Sequence, residues 1–271
     1  MGRILNAYDR ALLDLQKNLL HMGDYVAGQL DQALAALKTQ DVKMARQVIT
    51  GDDATDDLDH NIEMSALDLF SLQQPSGEDL RTLATVMRVS RELERISDYA
   101  VNIAKAAERL AELGPYFKPL ADILRMSDLA RAMLQRSLEA LVDRNLDLAR
   151  EVVEADDAVD RLFEALYDEL VGYMKRGPEY VDQASYLALV ARYLERIADH
   201  AVNVAEMVVY RETGQRRAFK DRQGPQKKSP RQSEETPNPC SFREGHGARA
   251  GKTGLLDAGK LISRRIDNGG H

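Results

Sequence analysis

The sequence predicts an all-α protein made of two tandem, sequence-related three-helix bundles followed by a disordered basic tail. Through residues 1–212, apolar residues recur at three- and four-residue spacing, without a strand-like alternating segment of useful length. The second part of this region repeats the first, and three long helices in the same order, twice, are typical of paired helical bundles. We therefore expect bundles at residues 1–114 and 115–212 and a tail at residues 213–271.

Six helices follow from the interruptions of this pattern. Proline and glycine interrupt it at residues 75–77, 114–119 and 177–178, where continued helix would be unfavourable. Softer breaks precede Asp41 and Asn145, whose short polar side chains are suited to cap the next helix at its N-terminus. The predicted helices cover residues 4–38, 41–73, 78–112, 117–143, 146–175 and 180–211.

The charge of the chain is unevenly distributed, and this limits the function. The formal net charge is −7, but the tail holds 13 Lys and Arg against 6 Asp and Glu, a balance of +7 that leaves −14 on residues 1–212. An acidic body repels nucleic-acid phosphates, so we expect no nucleic-acid partner. The tail is rich in glycine and proline and poor in apolar clusters, which predicts disorder.

The sequence favours a cytoplasmic protein. Its single cysteine, Cys240, cannot form an internal disulfide, and this is typical of a reducing compartment. The N-terminus lacks the apolar stretch of a signal peptide, and no apolar run is long enough to span a membrane. We expect no membrane insertion, and at most a peripheral association through partners.

An internal repeat is the most informative feature of the sequence. RELERISDYAVNIA at residues 91–104 aligns without a gap on RYLERIADHAVNVA at residues 192–205, with ten of 14 positions identical. Earlier in each half, DVKMARQVITGDDATD at residues 41–56 aligns on NLDLAREVVEADDAVD at residues 145–160. The two halves therefore present many of the same side chains at equivalent places on equivalent helices.

Two neighbouring helices of each half carry carboxylates one helical turn apart. Glu94 and Asp98 lie on the side of their helix opposite Leu93, Ile96 and Ala100, so the acids are expected to face away from the core. The same pattern recurs on the preceding helix and in the second half. The residues concerned are Asp52, Asp56, Asp59, His60, Glu63 and Asn102 in the first half, and Asp156, Asp160, Glu164, Glu195, Asp199 and Asn203 in the second.

Two interpretations of these carboxylates stay open. Exposed acids are ordinary on helices, and they could form a solvated face of a metal-free scaffold. However, like charges one turn apart destabilise a helix by about 0.2–0.5 kcal/mol per pair, and their repetition suggests that a cation compensates for them. All-oxygen ligand sets suit Mg²⁺, Mn²⁺, Ca²⁺ or iron better than zinc, whose structural sites favour Cys and His.

A carboxylate-bridged multinuclear metal enzyme is the alternative function. Such bundles carry Glu-x-x-His motifs directed inward, whereas here the acids are four residues apart and histidine is absent from three of the four acidic helix faces. We interpret His60 as an exposed polar residue, and His200 replaces Tyr99 of the first repeat, which argues against an imidazole shared by both halves. Arg95 and Arg196 are interpreted as partners of neighbouring carboxylates, with an anion site as the alternative. We predict a non-enzymatic protein.

Three stretches of the chain are similar to one known family. LERISDYAVNIA and LERIADHAVNVA resemble the twin signature of the PhoU family of phosphate-signalling proteins, and LQQPSGEDLR at residues 72–81 resembles the link between its second and third helices. The helix-one stretch LLDLQKNLLHMGDYVAGQLDQALAAL is also similar, so the resemblance covers residues 4–212. Ser97 and Ala198 stand where the family often has glycine, and the tail has no counterpart in the usual family pattern.

The resemblance implies two three-helix bundles and negative control of phosphate-starvation genes. It implies contact with the ATPase of a membrane phosphate importer and with a sensor histidine kinase, and we expect a homodimer. It also implies multinuclear metal clusters held by acid-x-x-x-Asp motifs. Because such ligand sets consist of oxygen atoms, we expect iron, manganese or magnesium before zinc. Carried over by position, the implied ligands are Asp52, Asp56, Glu94 and Asp98 in the first bundle and Asp156, Asp160, Glu195 and Asp199 in the second.

Overall fold

The computed structural model describes residues 7–73, 75 and 77–215, and this part of the chain contains helices and loops but no strand. The helices are α1 (Ala7–Thr39), α2 (Val42–Thr50), α3 (Asp52–Gln73), α4 (Glu78–Glu112), α5 (Ala121–Asp143), α6 (Leu146–Met174) and α7 (Val181–Thr213), with a single 3-10 turn at Pro178–Tyr180. The all-α prediction is confirmed. From residue 216 onward, the predicted disordered tail lies outside the described residues.

Side-chain caps begin the equivalent helices α2 and α6, as predicted. The Asp41 carboxylate accepts a hydrogen bond from the Met44 backbone N–H at 3.0 Å. The Asn145 side chain accepts from the N–H groups of Asp147 and Leu148 at 3.0 and 3.1 Å. Because the first N–H groups of a helix have no partner within it, these caps determine where α2 and α6 begin.

Replacing Asp41 by Ala should lower the free energy of unfolding by about 1 kcal/mol, because α2 would lose the acceptor for a backbone N–H group. Urea unfolding of the variant and the parent chain measures the difference. Asp68→Ala, at an exposed position within α3, is the matched control, for which we expect a change within about 0.5 kcal/mol. An equal loss in both variants would contradict the capping role.

The second predicted helix, residues 41–73, is two helices in the structure. The break lies at Gly51, whose carbonyl accepts hydrogen bonds from Tyr25 Oη at 3.0 Å and Gln29 Nε2 at 3.1 Å. A Cβ atom at Gly51 would lie only 3.1 Å from Tyr25 Oη, which favours glycine there. In the second half Ala155 aligns with Gly51, and α6 continues without a break. The prediction of one continuous helix is therefore wrong for the first half only.

A buried polar cluster, defined here as Gln29, Thr55 and Ser97, joins α1, α3 and α4. Gln29 Oε1 accepts hydrogen bonds from Ser97 Oγ at 2.5 Å and Thr55 Oγ1 at 3.2 Å, and the two hydroxyl oxygens lie 3.0 Å apart. All three side chains are at most 5% exposed. Counting from the equivalent caps, and using the aligned repeats, the corresponding residues of the second half are Met133, Val159 and Ala198, which are buried and apolar.

The loop between the halves is held by glutamines from both sides. Gln40, which precedes α2, donates from Nε2 to the Gly114 carbonyl at 2.8 Å. Gln183 of α7 donates from Nε2 to the Pro115 carbonyl at 2.9 Å and accepts from the Phe117 N–H at 3.1 Å. The helix predicted to begin at residue 117 begins instead at Ala121, as α5. Pro119 disfavours a helical backbone at the preceding Lys118, which explains the later start. The domain boundary between 114 and 115 stays a prediction.

The equivalent helices α4 and α7 pack against each other more extensively than any other two helices of the described residues. Their contact includes Tyr99 stacked on Tyr193, with ring centroids 5.9 Å apart. The Glu92 carboxylate lies 2.6 Å from His200 Nδ1 and accepts from Asn203 Nδ2 at 2.9 Å. The described residues all belong to one compact unit, with α4 and α7 at its centre.

Candidate metal centre

The carboxylates predicted from the sequence lie along two pairs of packed helices, which we call the first and second seams. The first seam is formed by α3 with α4, and the second by α6 with α7. The first seam contains Asp52, Asp56, Asp59, Glu94 and Asp98, and the second contains Asp156, Asp160, Glu195 and Asp199. Each seam therefore has acids on both of its helices.

The seams are more buried than the periodicity predicts. Glu94, Asp156 and Asp199 are at most 9% exposed, so the expectation that the acids face away from the buried side is wrong for these three. The reason is that α4, α6 and α7 each pack against at least two other helices, which leaves no fully solvated side opposite one apolar face. Asp56 is exposed, whereas Asp52, Asp98, Asp160 and Glu195 are half-buried.

The carboxylates within each seam repel one another. Burial raises the pKa of the Asp52 carboxyl, and the negative charges of Asp98 and Asp56 raise it further. Burial likewise raises the pKa of Glu94, followed by the charge of Asp98, while Arg91 acts in the opposite direction. Asp98 lies on α4 and Asp52 on α3, so the repulsion acts across the first seam.

The second seam has the same electrostatic character. Burial raises the pKa of the Glu195 carboxyl, and the charges of Asp199 and Asp160 add to this effect. Asp160 belongs to α6 and Glu195 to α7, so here too the acids of both helices act on one another. A cation placed among the acids of either seam would relieve this repulsion.

Four arginines donate hydrogen bonds to the seam carboxylates, and their positions are equivalent in the two halves. In the first seam, Arg95 Nη1 donates to Asp98 Oδ2 at 3.1 Å and Arg91 Nη1 donates to Asp59 Oδ2 at 3.3 Å. In the second seam, Arg196 Nη1 donates to Asp199 Oδ2 at 3.0 Å, and Arg192 Nη1 donates to Glu195 Oε1 at 2.9 Å. The interpretation of Arg95 and Arg196 as partners of neighbouring carboxylates is confirmed.

One oxygen of the glutamate in each seam accepts no hydrogen bond. Glu94 Oε2 and Glu195 Oε2 are both buried, and Arg95 Nε and Arg196 Nε lie 3.5 and 3.6 Å from them. Buried acceptors usually have hydrogen-bond partners, so these two oxygens suggest a ligand. Carboxylate oxygens are the ligands that Mg²⁺, Mn²⁺ and iron accept, and the chemistry of the seams fits such an ion.

Within the described residues, no three His, Cys, Asp or Glu side chains are gathered closely enough to hold an ion. Ion pairs to arginine occupy the carboxylates instead. His60 is exposed, as predicted, and Glu63 and Glu164 are exposed at the edges of the acidic helices. The eight ligands carried over from the family therefore stay predictions.

Arg91, Arg192 and Glu92 are contact residues of this region that the sequence pattern does not predict. Arg91 and Arg192 are identical at equivalent positions of the repeat, three residues before the motif glutamates, and this identity could have identified them. Glu92 aligns with Tyr193, so repetition carries no signal for its contact with His200. Asp59 was placed on the acidic face, and its contact with Arg91 now assigns it to the first seam.

Two surface grooves lie elsewhere on the protein. One, of about 240 Å³, is lined by α1 and by Arg144 and Arg211, and the other, of about 480 Å³, lies between α1 and α5. Neither groove is lined by a seam carboxylate. None of the helices described here combines the length and the apolar character that crossing a membrane requires.

Comparisons with known proteins agree with this architecture. The family model described as the PhoU domain matches the chain twice, at residues 19–107 and 123–208. The phosphate-specific transport system accessory protein PhoU homolog of Clostridium acetobutylicum is 38% identical over 208 residues, which is 76% of this chain and 94% of that relative. The protein of the same name from Aquifex aeolicus is 37% identical, over 76% of this chain and 93% of the relative.

Solved structures show the same fold. The crystal structure of PhoU from Pseudomonas aeruginosa superimposes with a TM-score of 0.75 at 32% identity, covering 77% of this chain and 100% of that one. The phosphate transport system regulatory protein PhoU from Streptococcus pneumoniae superimposes with a TM-score of 0.71 at 29% identity, covering 77% of this chain and 98% of that one.

The fold and the seams define a duplicated helical-bundle protein whose distinctive groups are rows of carboxylates on packed helices. The two domain matches correspond to its two halves, which confirms the predicted tandem repeat. The chain belongs to the PhoU family. Its relatives are named as accessory and regulatory proteins and not as enzymes, and on this ground the non-enzymatic prediction is confirmed.

Proposed function

We propose that this chain is an accessory protein of a phosphate-specific transport system and a negative regulator of phosphate-starvation signalling. The observation that carries the proposal is the match of both halves to relatives named as accessory proteins of such a system, over 92–94% of the length of those relatives. A match of this extent supports a shared role for the whole helical body. It acts as a binding protein and not as a catalyst.

The proposed partners are the ATPase subunit of the phosphate importer and a sensor histidine kinase. Both present surfaces on the cytoplasmic side of a membrane, where a cytoplasmic homodimer of this chain would reach them without inserting into the bilayer. The acidic body, with a charge of −14 over residues 1–212, favours basic surfaces on these partners.

The two seams are the proposed metal sites. Asp52, Asp56, Glu94 and Asp98 would hold iron, manganese or magnesium in the first seam, and Asp156, Asp160, Glu195 and Asp199 would do so in the second. The support is the mutual repulsion of these acids and the buried glutamate oxygens without hydrogen bonds. A bound ion supplies positive charge that neutralises the acids and links the two helices of a seam.

Deleting the gene should raise the expression of phosphate-scavenging genes several-fold in phosphate-rich medium, because a negative regulator would be missing. A reporter fused to a phosphate-starvation promoter measures the effect, and phosphate uptake is measured in parallel. Expression of the parent chain from a plasmid should restore repression. Unchanged reporter activity in the deletion strain, with uptake intact, would contradict the regulatory role.

A further inference from the structure

Each seam contains a pair of arginines that follows the internal repeat. Arg91 and Arg95 on α4 align with Arg192 and Arg196 on α7. The members of each pair are four residues apart, one helical turn, and they approach the motif glutamate from its N-terminal and C-terminal sides. An arrangement that recurs in both halves is a property of the site and not an accident of one surface.

The arginines contact the same oxygens that would bind a metal ion. Arg95 lies 3.5 Å from Glu94 Oε2 through Nε and 3.1 Å from Asp98 Oδ2 through Nη1. Arg196 repeats both contacts, at 3.6 Å from Glu195 Oε2 and 3.0 Å from Asp199 Oδ2. Each of these two guanidinium groups therefore bridges both acids of an acid-x-x-x-Asp motif.

The contacts to the glutamates are the weaker ones. At 3.5 and 3.6 Å these nitrogens make ion pairs but no hydrogen bonds to Oε2, which stays without a hydrogen-bond donor. The arginine side chains are also 47% and 40% exposed, so they can turn into solvent without disturbing the core. An ion of small radius could approach these oxygens more closely than a planar guanidinium group does.

We propose that Arg95 and Arg196 are exchangeable counter-ions, which neutralise the seam acids in the metal-free protein and must leave them when a metal ion binds. This inference rests on the proposed metal sites. In the metal-free state the arginines limit repulsion among the acids. In the metal-bound state their guanidinium groups are displaced toward solvent, so that metal binding changes the charge pattern of the surface beside each seam.

Competition by arginine has a measurable consequence for metal affinity. If a guanidinium group must leave before the ion binds, removing that group should tighten binding. If the arginine instead orients the carboxylates for the ion, removing it should weaken binding. Tighter metal binding after removal of the arginine therefore indicates the exchange, and weaker binding indicates that the arginine supports the site.

The test uses the full-length chain with one seam disabled. In a Glu195→Gln, Asp199→Asn background, Mn²⁺ binding to the first seam is measured by calorimetry after treatment with a chelator, with and without Arg95→Gln. We expect Arg95→Gln to lower the dissociation constant for Mn²⁺ about tenfold, and to lower the melting temperature of the metal-free protein. Arg109→Gln is the matched control, since it removes the same charge from α4 at an ion pair with Glu112 outside the seams. We expect less than a twofold effect on affinity for this control.

The outcomes distinguish the exchange from the proposed metal site. Weaker or unchanged Mn²⁺ binding in Arg95→Gln, when its background binds Mn²⁺, would overturn the exchange and leave the metal site in place. An effect of equal size in Arg109→Gln would show that the affinity responds to the net charge of the protein in general, and this would also overturn the exchange. A background protein and a parent chain that both bind no Mn²⁺ would contradict the metal site, and the exchange with it.

Discussion

If the first seam holds the proposed metal ion, replacing Glu94 by Gln and Asp98 by Asn should release that ion and leave the helices intact. Both substitutions keep the shape of the side chain and remove the negative charge that attracts a cation. In the metal-free protein they also remove the repulsion between these carboxylates. This repulsion, together with burial, is what raises the pKa of Glu94. The loss of ion pairs to half-exposed Arg95 offsets this gain, so we expect a change in unfolding free energy within about 1 kcal/mol.

Elemental analysis per chain, beside circular dichroism, measures this result. The second half, with Glu195 and Asp199 intact, should keep its own metal, and the variant that neutralises those two residues is the matched control. Equal metal in the Glu94, Asp98 variant and the parent chain would show that the first-half ligands are wrongly assigned. Loss of helix together with metal would indicate an internal structural ion that contributes to folding.

Replacing Gln29 by Met should lower the free energy of unfolding by about 2 kcal/mol, because buried partners would lose their hydrogen bonds. Gln29 Oε1 accepts from Ser97 and Thr55, and Gln29 Nε2 donates to the Gly51 carbonyl. The two hydroxyl groups would keep only each other within the buried polar cluster, whereas Gly51 would keep its bond from Tyr25. Urea unfolding measures the loss.

The second half provides the matched control for this substitution. A triple variant with Gln29→Met, Thr55→Val and Ser97→Ala would contain the apolar residues found at the equivalent positions Met133, Val159 and Ala198. Since removing all partners leaves no buried polar group unsatisfied, we expect the triple variant to regain stability to within about 1 kcal/mol of the parent chain. A triple variant less stable than Gln29→Met would contradict this explanation.

Most of the helical architecture could be predicted because local signals define it. The pattern predicts a helix over 78–112, and α4 runs from Glu78 to Glu112. The break at Gly51 could not be predicted in this way, because the sequence on both sides of it is compatible with helix. It depends on hydrogen bonds from Tyr25 and Gln29, which are 26 and 22 residues away in the chain.

The sequence predicts which residues belong to the candidate site, but not how deeply they are buried or which arginines contact them. Repetition identified the acid-x-x-x-Asp motifs, including Glu94 with Asp98 and their counterparts. Periodicity of a single helix could not predict their burial, because Glu94 is covered by neighbouring helices whose positions come from the packing of the whole body. The arginine contacts also depend on rotamers, which the order of residues does not specify.

The packing of α4 against α7 has a consequence for the history of the fold. These helices occupy equivalent places in the two repeats. Each one covers an apolar surface of the other half that would otherwise be left open. A lone repeat would have to cover that surface with a second molecule, at the entropic cost of association. By carrying both copies on one chain, the protein converts a concentration-dependent encounter into an internal contact. Duplication of this kind also leaves each copy free to diverge, as the difference between Gln29, Thr55 and Ser97 and their apolar counterparts in the second half illustrates.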